Sequence, residues 1–357
     1  MSILHTIYQT NERMVKWAKD IQRKRKDRSD TLHLTDGNRQ LTSEQKQAII
    51  EYWKPYGRPD PIYHQYYYEK TGVFDVRFIP DDLFYTKIQF YFNDIPAAHV
   101  VDNKCYYEAL FPDIRHPKTV AKRLNGYWLM DDRCTDIDNV VKKLCDESIL
   151  FIKPATEACG GDGIVILENE SLCAEKMRES FASIKGDLVV QRCLEQCEEL
   201  KRINESSINT LRIISLIEKN GDVAILARMI RMGRAGSRLD NAHSNGISCG
   251  FDENGALNEF AYSLNGTKYR EHPTSGVVFQ GYCLPKMQEI EAAIKKSALR
   301  VPSFRIIAWD VTLDKEYMPT LVEANLYNPG INAIQLNNGP LFGDRTKDYL
   351  NEAFGIR

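Results

Sequence analysis

The sequence predicts an α+β fold, and three observations carry the prediction. Short apolar runs rich in β-branched residues recur from Ile149 to Asn325, separated by polar or glycine-containing turns. The first hundred residues carry helical signals instead. The third observation is a strand pair near the end. Ala308-Trp309-Asp310-Val311-Thr312-Leu313 and Leu321-Val322-Glu323-Ala324-Asn325 flank the polar turn Asp314-Lys315-Glu316. Asp310 lies on the first strand, and Glu323 and Asn325, two apart on the second, share one side of the pleat. Three oxygen-bearing side chains, two of them anionic, then converge on one face. Such a set suits Mg²⁺, which takes hard oxygen ligands and shares them with substrate phosphates.

Taken in order, residues 1–28 predict a basic helix with Ile3, Ile7, Met14, Trp17, Ala18 and Ile21 on roughly one side. Arg23-Lys24-Arg25-Lys26 stand at its expected end, where they would complement the helix dipole. The expectation is a terminal helix packed on its domain; a weak contact with an anionic membrane surface is the alternative. Thr42-Ser43-Glu44-Gln45 is a capping box, opening a helix through Ile49, Ile50 and Trp53 that stops before Pro55. Tyr63 to Tyr68 and Leu83 to Phe92 read as further helices whose aromatics build core or domain contacts.

Farther on, Ile149-Leu150-Phe151-Ile152-Lys153-Pro154 is a short strand ending in a lysine. It leads into Ala155-Thr156-Glu157-Ala158-Cys159-Gly160-Gly161-Asp162-Gly163, and the strand Ile164-Val165-Ile166-Leu167 follows. Glycines let backbone N–H groups approach phosphate oxygens, and Lys153 adds a point charge suited to a phosphate. The loop joins strand to strand, so it is neither a Walker loop nor a dinucleotide turn. Asp187 to Glu195 contains another strand. Ser207-Ile208-Asn209-Thr210-Leu211-Arg212-Ile213-Ile214 runs into a hairpin turned at Asn220-Gly221. The returning strand ends in Arg228-Met229-Ile230-Arg231-Met232-Gly233-Arg234-Ala235-Gly236-Ser237, followed by Leu239-Asp240-Asn241 and Asn245-Gly246-Ile247. Arg212, Arg228, Arg231 and Arg234 crowd this region, and an arginine fork binds carboxylate or phosphate bidentately. Arg231 and Arg234 are expected on an exposed, glycine-flanked loop.

A strand-lysine, a glycine-rich flap, then Asp and Glu-x-Asn on a strand pair form an order that resembles the ATP-grasp enzymes. Asn-Thr-Leu-Arg at 209–212, Arg-x-Gly-Arg-x-Gly-Ser at 231–237 and Asp240-Asn241 narrow the resemblance to the sugar-transfer-associated and teichuronopeptide-type ATP-grasp proteins. It spans roughly 100 to 340, and the tail from Gln335 to Leu341 also fits. Asn245-Gly246 departs from the Gly-Gly expected there.

The resemblance implies an ATP-grasp fold in which two α+β subdomains grip ATP, preceded by an N-terminal, mainly helical domain. The divisions expected are 1–100, 101–190 with the lysines and flap, and 191–357 with the hinge, arginines and metal site. Lys104, at a helix start, would reach the nucleotide phosphates together with Lys153, Gly160, Gly161 and Gly163. Gln191, Arg192 and Leu194 match the adenine side, and the ribose carboxylate stays open among Glu195, Glu198 and Glu199. Asp310, Glu323 and Asn325 would hold two Mg²⁺ ions. Arg212, Arg231 or Arg234 would hold the transferred phosphoryl group or the substrate carboxylate. The implied activity is ADP-producing carboxylate–amine ligation of small molecules through an acyl phosphate, tied to bacterial surface polysaccharide. A phosphotransferase acting on an alcohol and a non-catalytic partner of polysaccharide machinery are the alternatives.

Composition agrees with an enzyme of more than one domain, since 357 residues bury a large core. A net charge of −2 argues against nonspecific nucleic-acid binding. No apolar run reaches the roughly 18 residues that a membrane-spanning helix needs. Asn11, Glu12 and Arg13 interrupt any signal-peptide core. The nine cysteines are scattered without a zinc-site spacing. A cytoplasmic protein with reduced thiols is the expectation.

Overall fold

The computed structural model describes residues 3–156, 163–234, 236 and 246–356, and side chains from residue 14 onward except that of 99. The chain divides into two compact units, one of 1–93, 265–267 and 330–357, the other of 94–264 and 268–329.

The first unit is helical. Its opening helix runs Ile3–His33. It therefore continues past Arg23-Lys24-Arg25-Lys26, and these residues are not the helix end that the dipole argument expected. The reason is packing: Asp27 and Thr31 turn inward and are buried, and Arg23 Nε donates to Asp27 Oδ1 at 2.8 Å. The helix Ser43–Trp53 begins with the capping box. Gln45 N donates to Thr42 Oγ1 at 3.2 Å while Thr42 N donates to Gln45 Oε1 at 2.9 Å. Tyr63, Tyr66 and Tyr67 on Ile62–Thr71 are buried as core aromatics.

Residues 81–92 are helical but not uniformly so. Asp81–Leu83 and Gln89–Phe92 are α-helical, and Phe84–Ile88 between them is a π turn, which accommodates an extra residue in the winding. From the C-terminal segment, Gln335 enters this unit with no solvent exposure. Its Nε2 donates to Tyr67 Oη at 2.8 Å and to Ile79 O at 3.0 Å. Its Oε1 accepts from Ile79 N at 2.8 Å and Leu341 N at 3.2 Å. A buried amide with both ends satisfied specifies the packing of these segments.

The second unit holds two antiparallel sheets. The first contains β1 (Thr119–Leu124), β2 (Tyr127–Met130), β3 (Arg133–Thr135), β4 (Ile149–Pro154), β5 (Val165–Glu168) and β6 (Leu188–Arg192), in the order β3-β2-β1-β6-β4-β5. Helices Ile137–Leu144 and Ala174–Ser183 supply Val140, Leu144, Met177 and Phe181 to its core.

The other sheet contains β7 (Thr210–Ile217), β8 (Val223–Met232), β9 (Ile247–Phe251), β10 (Leu257–Ser263), β11 (Lys268–Tyr269), β12 (Ile306–Leu313) and β13 (Pro319–Asn325). Their order is β11-β10-β9-β8-β7-β12-β13. The β7–β8 hairpin turns at Asn220-Gly221, where Gly221 takes φ 89°, a conformation that favours glycine. One face of this sheet is apolar. Leu211, Ile230, Cys249, Ala261, Trp309 and Val311 share its core with the helix Met287–Ala298. Period-two alternation then puts the residues next to them on the opposite face.

Candidate functional site

The opposite face is polar, and strand register assembles it. Asp310 of β12 pairs with Glu323 of β13 on one side and with Arg212 of β7 on the other. Ala308 pairs with Asn325, and Thr210 pairs with Arg231 of β8. Directly paired residues of antiparallel strands share a face. Asp310, Glu323, Asn325, Arg212 and Arg231 therefore stand together, contributed by four strands.

A bulge makes this arrangement compatible with a packed core. Asp310 pairs with Glu323 but Val311 pairs with Leu321, so Val322 is the extra residue. Two residues on β13 oppose one on β12, which shifts the alternation. Leu321 turns into the core while Val322 and Glu323 are both left for the polar side. Trp309 shows the alternation from β12: fully buried, it donates from Nε1 to Ser215 Oγ at 2.8 Å and leaves its neighbour Asp310 facing the site.

Each carboxylate of the row has a cationic partner. Arg212 grips Asp310 with two prongs, Nε to Oδ1 at 2.8 Å and Nη2 to Oδ2 at 2.6 Å. Arg231 Nη1 reaches the same Oδ2 at 2.8 Å. Burial pushes the Asp310 carboxyl up, but the two guanidinium groups outweigh it and hold the group below its ordinary range. Lys104 Nζ donates to Glu323 Oε1 at 2.7 Å. Burial disfavours the Lys104 ammonium, and Glu323 more than compensates, so the lysine is held above its usual value.

Lys104 opens a single helical turn, Lys104–Tyr106. Asn103 Oδ1 caps that turn by accepting from Cys105 N at 2.9 Å, and Lys104 N donates to Ala155 O at 2.9 Å. The lysine's backbone is thereby tied to the end of the β4 strand while its side chain reaches β13.

Beside this row lies a cavity of about 310 Å³, lined by Lys153, Phe151, Ile164, Pro117 and Val322. Arg192, Leu194 and Glu195 also line it, as do Lys201, Glu205, Ser206, Ser207, Ile208 and Thr210. Apolar walls with a few charged groups suit a flat heterocycle carrying polar substituents. Lys153 Nζ donates to Gln191 Oε1 at 3.1 Å, so Gln191 stands behind the lysine, buried. Arg192 pairs with Glu147 at 2.7 Å. Of the three glutamates considered for the ribose, Glu195 lines the cavity and pairs with Lys315 at 3.1 Å. Glu198 pairs with Lys201 at 3.0 Å. Glu199 does not line the cavity; its backbone carbonyl accepts from Tyr282 Oη at 2.6 Å and its carboxylate faces Tyr317. Glu205 was not anticipated: it follows a short helix and lacks any motif spacing.

Gly163 takes φ 77°, and a β-carbon there would approach Pro154 Cγ at 3.0 Å, so this position favours glycine. Gly160 and Gly161 lie outside the described residues, as do Asp240, Asn241 and Asn245.

The arginines separate. Arg231 belongs to β8 and is only 13% exposed, so the expectation of an exposed loop fails for it: its pairing with Asp310 draws it inward. Arg228, three residues earlier on the strand, faces the other way and pairs with Glu291 at 2.6 Å. Arg234 leaves the row and donates from Nη1 to Tyr269 Oη at 2.7 Å. Just before it, the carbonyl of Gly233 accepts from Nε2 of the fully buried His272 at 2.8 Å. Burial keeps His272 below its usual pKa, and its Nδ1 accepts from Ser275 N at 3.2 Å. This histidine anchors the strand exit, a role no sequence pattern announced. The polar face continues from Arg231 through Ser248 of β9 and Tyr262 of β10 to Lys268 of β11, each paired with the next.

Asn209 of the Asn-Thr-Leu-Arg segment is a fastening. Its Nδ2 donates to Gln196 Oε1 at 3.0 Å, Leu200 O at 2.8 Å and Asn204 O at 2.8 Å. Its carbonyl accepts from Thr312 Oγ1 at 3.0 Å. These bonds fix the segment after β6 to the strands that carry Arg212 and Asp310.

Two carboxylates and one amide oxygen on a single face form a donor set that fits Mg²⁺. Asn325 donates from Nδ2 to Ala308 O at 3.3 Å, so its oxygen is the atom a metal would use. Among the described residues no cluster of three or more His, Cys, Asp or Glu side chains is placed to hold a metal. A metal here therefore depends on Asn325 completing the acidic pair. Among the described residues no helix is long and apolar enough to cross a membrane, and Cys105, Cys134, Cys145, Cys173, Cys193, Cys197, Cys249 and Cys283 are free thiols.

Several solved structures are similar to this one. D-alanyl-alanine synthetase A from Vibrio cholerae is 17% identical, with a TM-score of 0.41, over 74% of this chain and 64% of that one. The chain thus spans under two thirds of that enzyme's length. D-cycloserine synthetase DcsG is 10% identical, with a TM-score of 0.45, over 74% of each chain. VanG D-Ala:D-Ser ligase from Enterococcus faecalis is 12% identical, with a TM-score of 0.40, over 71% of this chain and 61% of that one. No match was found among curated proteins. The sequence model of the sugar-transfer associated ATP-grasp family matches residues 84–349, a span that takes in both sheets and every candidate site residue. The chain belongs to the sugar-transfer associated ATP-grasp family.

Proposed function

We propose that this chain is an ATP-dependent carboxylate–amine ligase that works through an acyl phosphate. The observation that carries the reading is the row of Asp310, Glu323 and Asn325, hemmed by Arg212, Arg231 and Lys104, beside a cavity with Lys153 at its wall. It is a place built for a polyanion and its counter-charge. Residues 101–190 supply the lysines and flap, and residues 191–357 supply the hinge, arginines and metal ligands.

Lys153 and Lys104 neutralise phosphate oxygens of ATP. Leu194 and the backbone at Arg192 border the base, and Glu195 takes the ribose hydroxyls. Asp310, Glu323 and Asn325 would hold Mg²⁺, which when bound would supply positive charge to offset that of the phosphates. Arg231 and Arg212 orient the substrate carboxylate. A carboxylate oxygen attacks the γ-phosphorus and the bond to the ADP oxygen breaks. The amine nitrogen then attacks the acyl carbon, inorganic phosphate leaves, and a nitrogen proton passes to solvent. No protein nucleophile is needed, because the barrier falls through positioning and charge stabilisation.

The acceptor lies on the continuation of the same face, toward Ser248, Tyr262 and Lys268. The family's association with sugar transfer supports a role in bacterial surface carbohydrate assembly, with amino acids and uronic or amino sugars as substrates. Dependence on ATP makes the reaction cytoplasmic. An ADP-release screen over pairs of acids and amines tests the reading. ADP formed only when both are present supports ligation; ADP formed with an alcohol alone would assign the site to a phosphotransferase.

A further inference from the structure

The opening helix has two halves with different surroundings. From Asp20 to Thr31 it packs: Asp27 and Thr31 are buried, and Arg23 lies over the Tyr85 ring at 4.0 Å. From Met14 to Lys19 every residue is exposed, on all sides of the helix. Met14 is 57% exposed, Val15 49% and Trp17 67%. Large apolar side chains cluster here, and a helix in water does not hold out such a cluster without a partner. Lys16 Nζ lies 5.1 Å from the centre of the Phe90 ring, so exposed Phe90 and Tyr91 belong to the same surface.

Charge identifies the partner. Residues 14–28 carry seven basic and two acidic side chains, whereas the whole chain has a net charge of −2. Basic residues are therefore concentrated at this one end, and Lys19, Arg25 and Lys26 are exposed. A nucleic acid would be met by the cations but not by Met14, Val15 and Trp17. A bilayer with anionic headgroups satisfies both, because apolar side chains enter the acyl boundary while lysine and arginine stems extend to the phosphates.

We propose that residues 14–28, with Phe90 and Tyr91, form a docking surface for an anionic phospholipid membrane. The helix lies in the interface plane and does not cross it. Such a surface would hold the enzyme where a lipid-linked or membrane-delivered substrate is found, and it stands or falls independently of the ligase chemistry.

The chain contains its own probe. Of the four tryptophans, Trp53, Trp128 and Trp309 are buried and Trp17 alone is exposed. The 357-residue chain is titrated with phosphatidylcholine vesicles and with vesicles containing phosphatidylglycerol, while tryptophan emission and co-sedimentation are followed. The expected result is a blue shift and binding with the anionic vesicles only, weakened by salt. Trp17→Ala abolishes the shift. The triple variant Lys19→Gln, Arg25→Gln, Lys26→Gln lowers partitioning by on the order of a hundredfold, from about fivefold per cation. Circular dichroism confirms that both variants fold, and their melting temperatures should match the parent because the altered side chains are exposed. Absence of a shift with anionic vesicles, or undiminished binding by the triple variant, overturns the proposal. So does a dimer in light scattering that Trp17→Ala dissociates while vesicles leave the emission unchanged, or tighter binding to a single-stranded oligonucleotide than to the vesicles.

Discussion

Lys104 Nζ and Glu323 Oε1 lie 2.7 Å apart although 219 positions separate them in the chain. The pair joins a capped helical turn to the bulged strand β13, and Glu323 keeps the lysine charged in a largely buried place. Both are candidates for the same ligand, Lys104 for phosphate and Glu323 for the metal. Replacing Lys104 by Ala should weaken binding of a non-hydrolysable ATP analogue by about tenfold to a hundredfold, the scale of a charge-assisted hydrogen bond. Calorimetric titration measures it, and an unchanged affinity would remove Lys104 from the nucleotide site.

Asp310 keeps its buried charge through its contacts with Arg212 and Arg231. The carboxylate is 2% exposed, and Arg212 supplies two of its contacts. Arg212→Ala should destabilise the protein by roughly 3–5 kcal/mol, because a buried charge loses its main partner. Adding Asp310→Asn should restore part of that loss. A double-mutant cycle from denaturant unfolding reports the coupling, and additive effects would mean the pair contributes little.

Lys153 and Arg234 should separate nucleotide binding from acceptor handling. Lys153 lines the cavity, whereas Arg234 is turned to Tyr269. Lys153→Ala should weaken ATP-analogue binding, while Arg234→Ala should leave it within a few-fold and lower turnover, as expected of an interaction made mainly in the transition state. Equal losses of ATP affinity in the two variants would place Arg234 at the nucleotide.

The helical unit should respond to pH. Burial, then Asp27 and Asp82, push the Asp81 carboxyl up to about 8, and burial pushes Asp82 up to about 6. An acid whose folded pKa exceeds its unfolded value takes up protons on folding. Its contribution is fully present below the unfolded pKa of about 4 and is lost as pH rises through the folded value. The melting temperature should therefore fall from about pH 4 to about pH 8, and Asp81→Asn should flatten that slope and stabilise the protein at the upper end. A slope identical to that of the parent would show that Asp81 is not its source.

Much of this was legible from local chemistry. The capping box at Thr42, the turn at Asn220-Gly221 and the strand pair carrying Asp310 and Glu323 are short-range signals, and the structure has all three. What escaped was set by tertiary contacts. The π turn at Phe84–Ile88 has no residue pattern of its own. The Val322 bulge is set by the need to bury Leu321 while Glu323 faces the other way. The arginines at 228 and 231 read as one cluster, yet their odd spacing sends them to opposite faces. Gln335 fits a family tail in sequence, but its buried bonds to Tyr67 and Ile79 emerge only when distant segments meet.

The central claim is that Glu323, opposite Asp310, holds the metal that serves ATP, and one substitution tests it most directly. Glu323→Gln keeps the shape of the side chain and removes its charge. With folding checked by circular dichroism, magnesium-dependent ADP release should fall by about two orders of magnitude or more, the scale of losing one strong electrostatic stabiliser. ADP release near the parental rate in the folded variant would contradict the assignment.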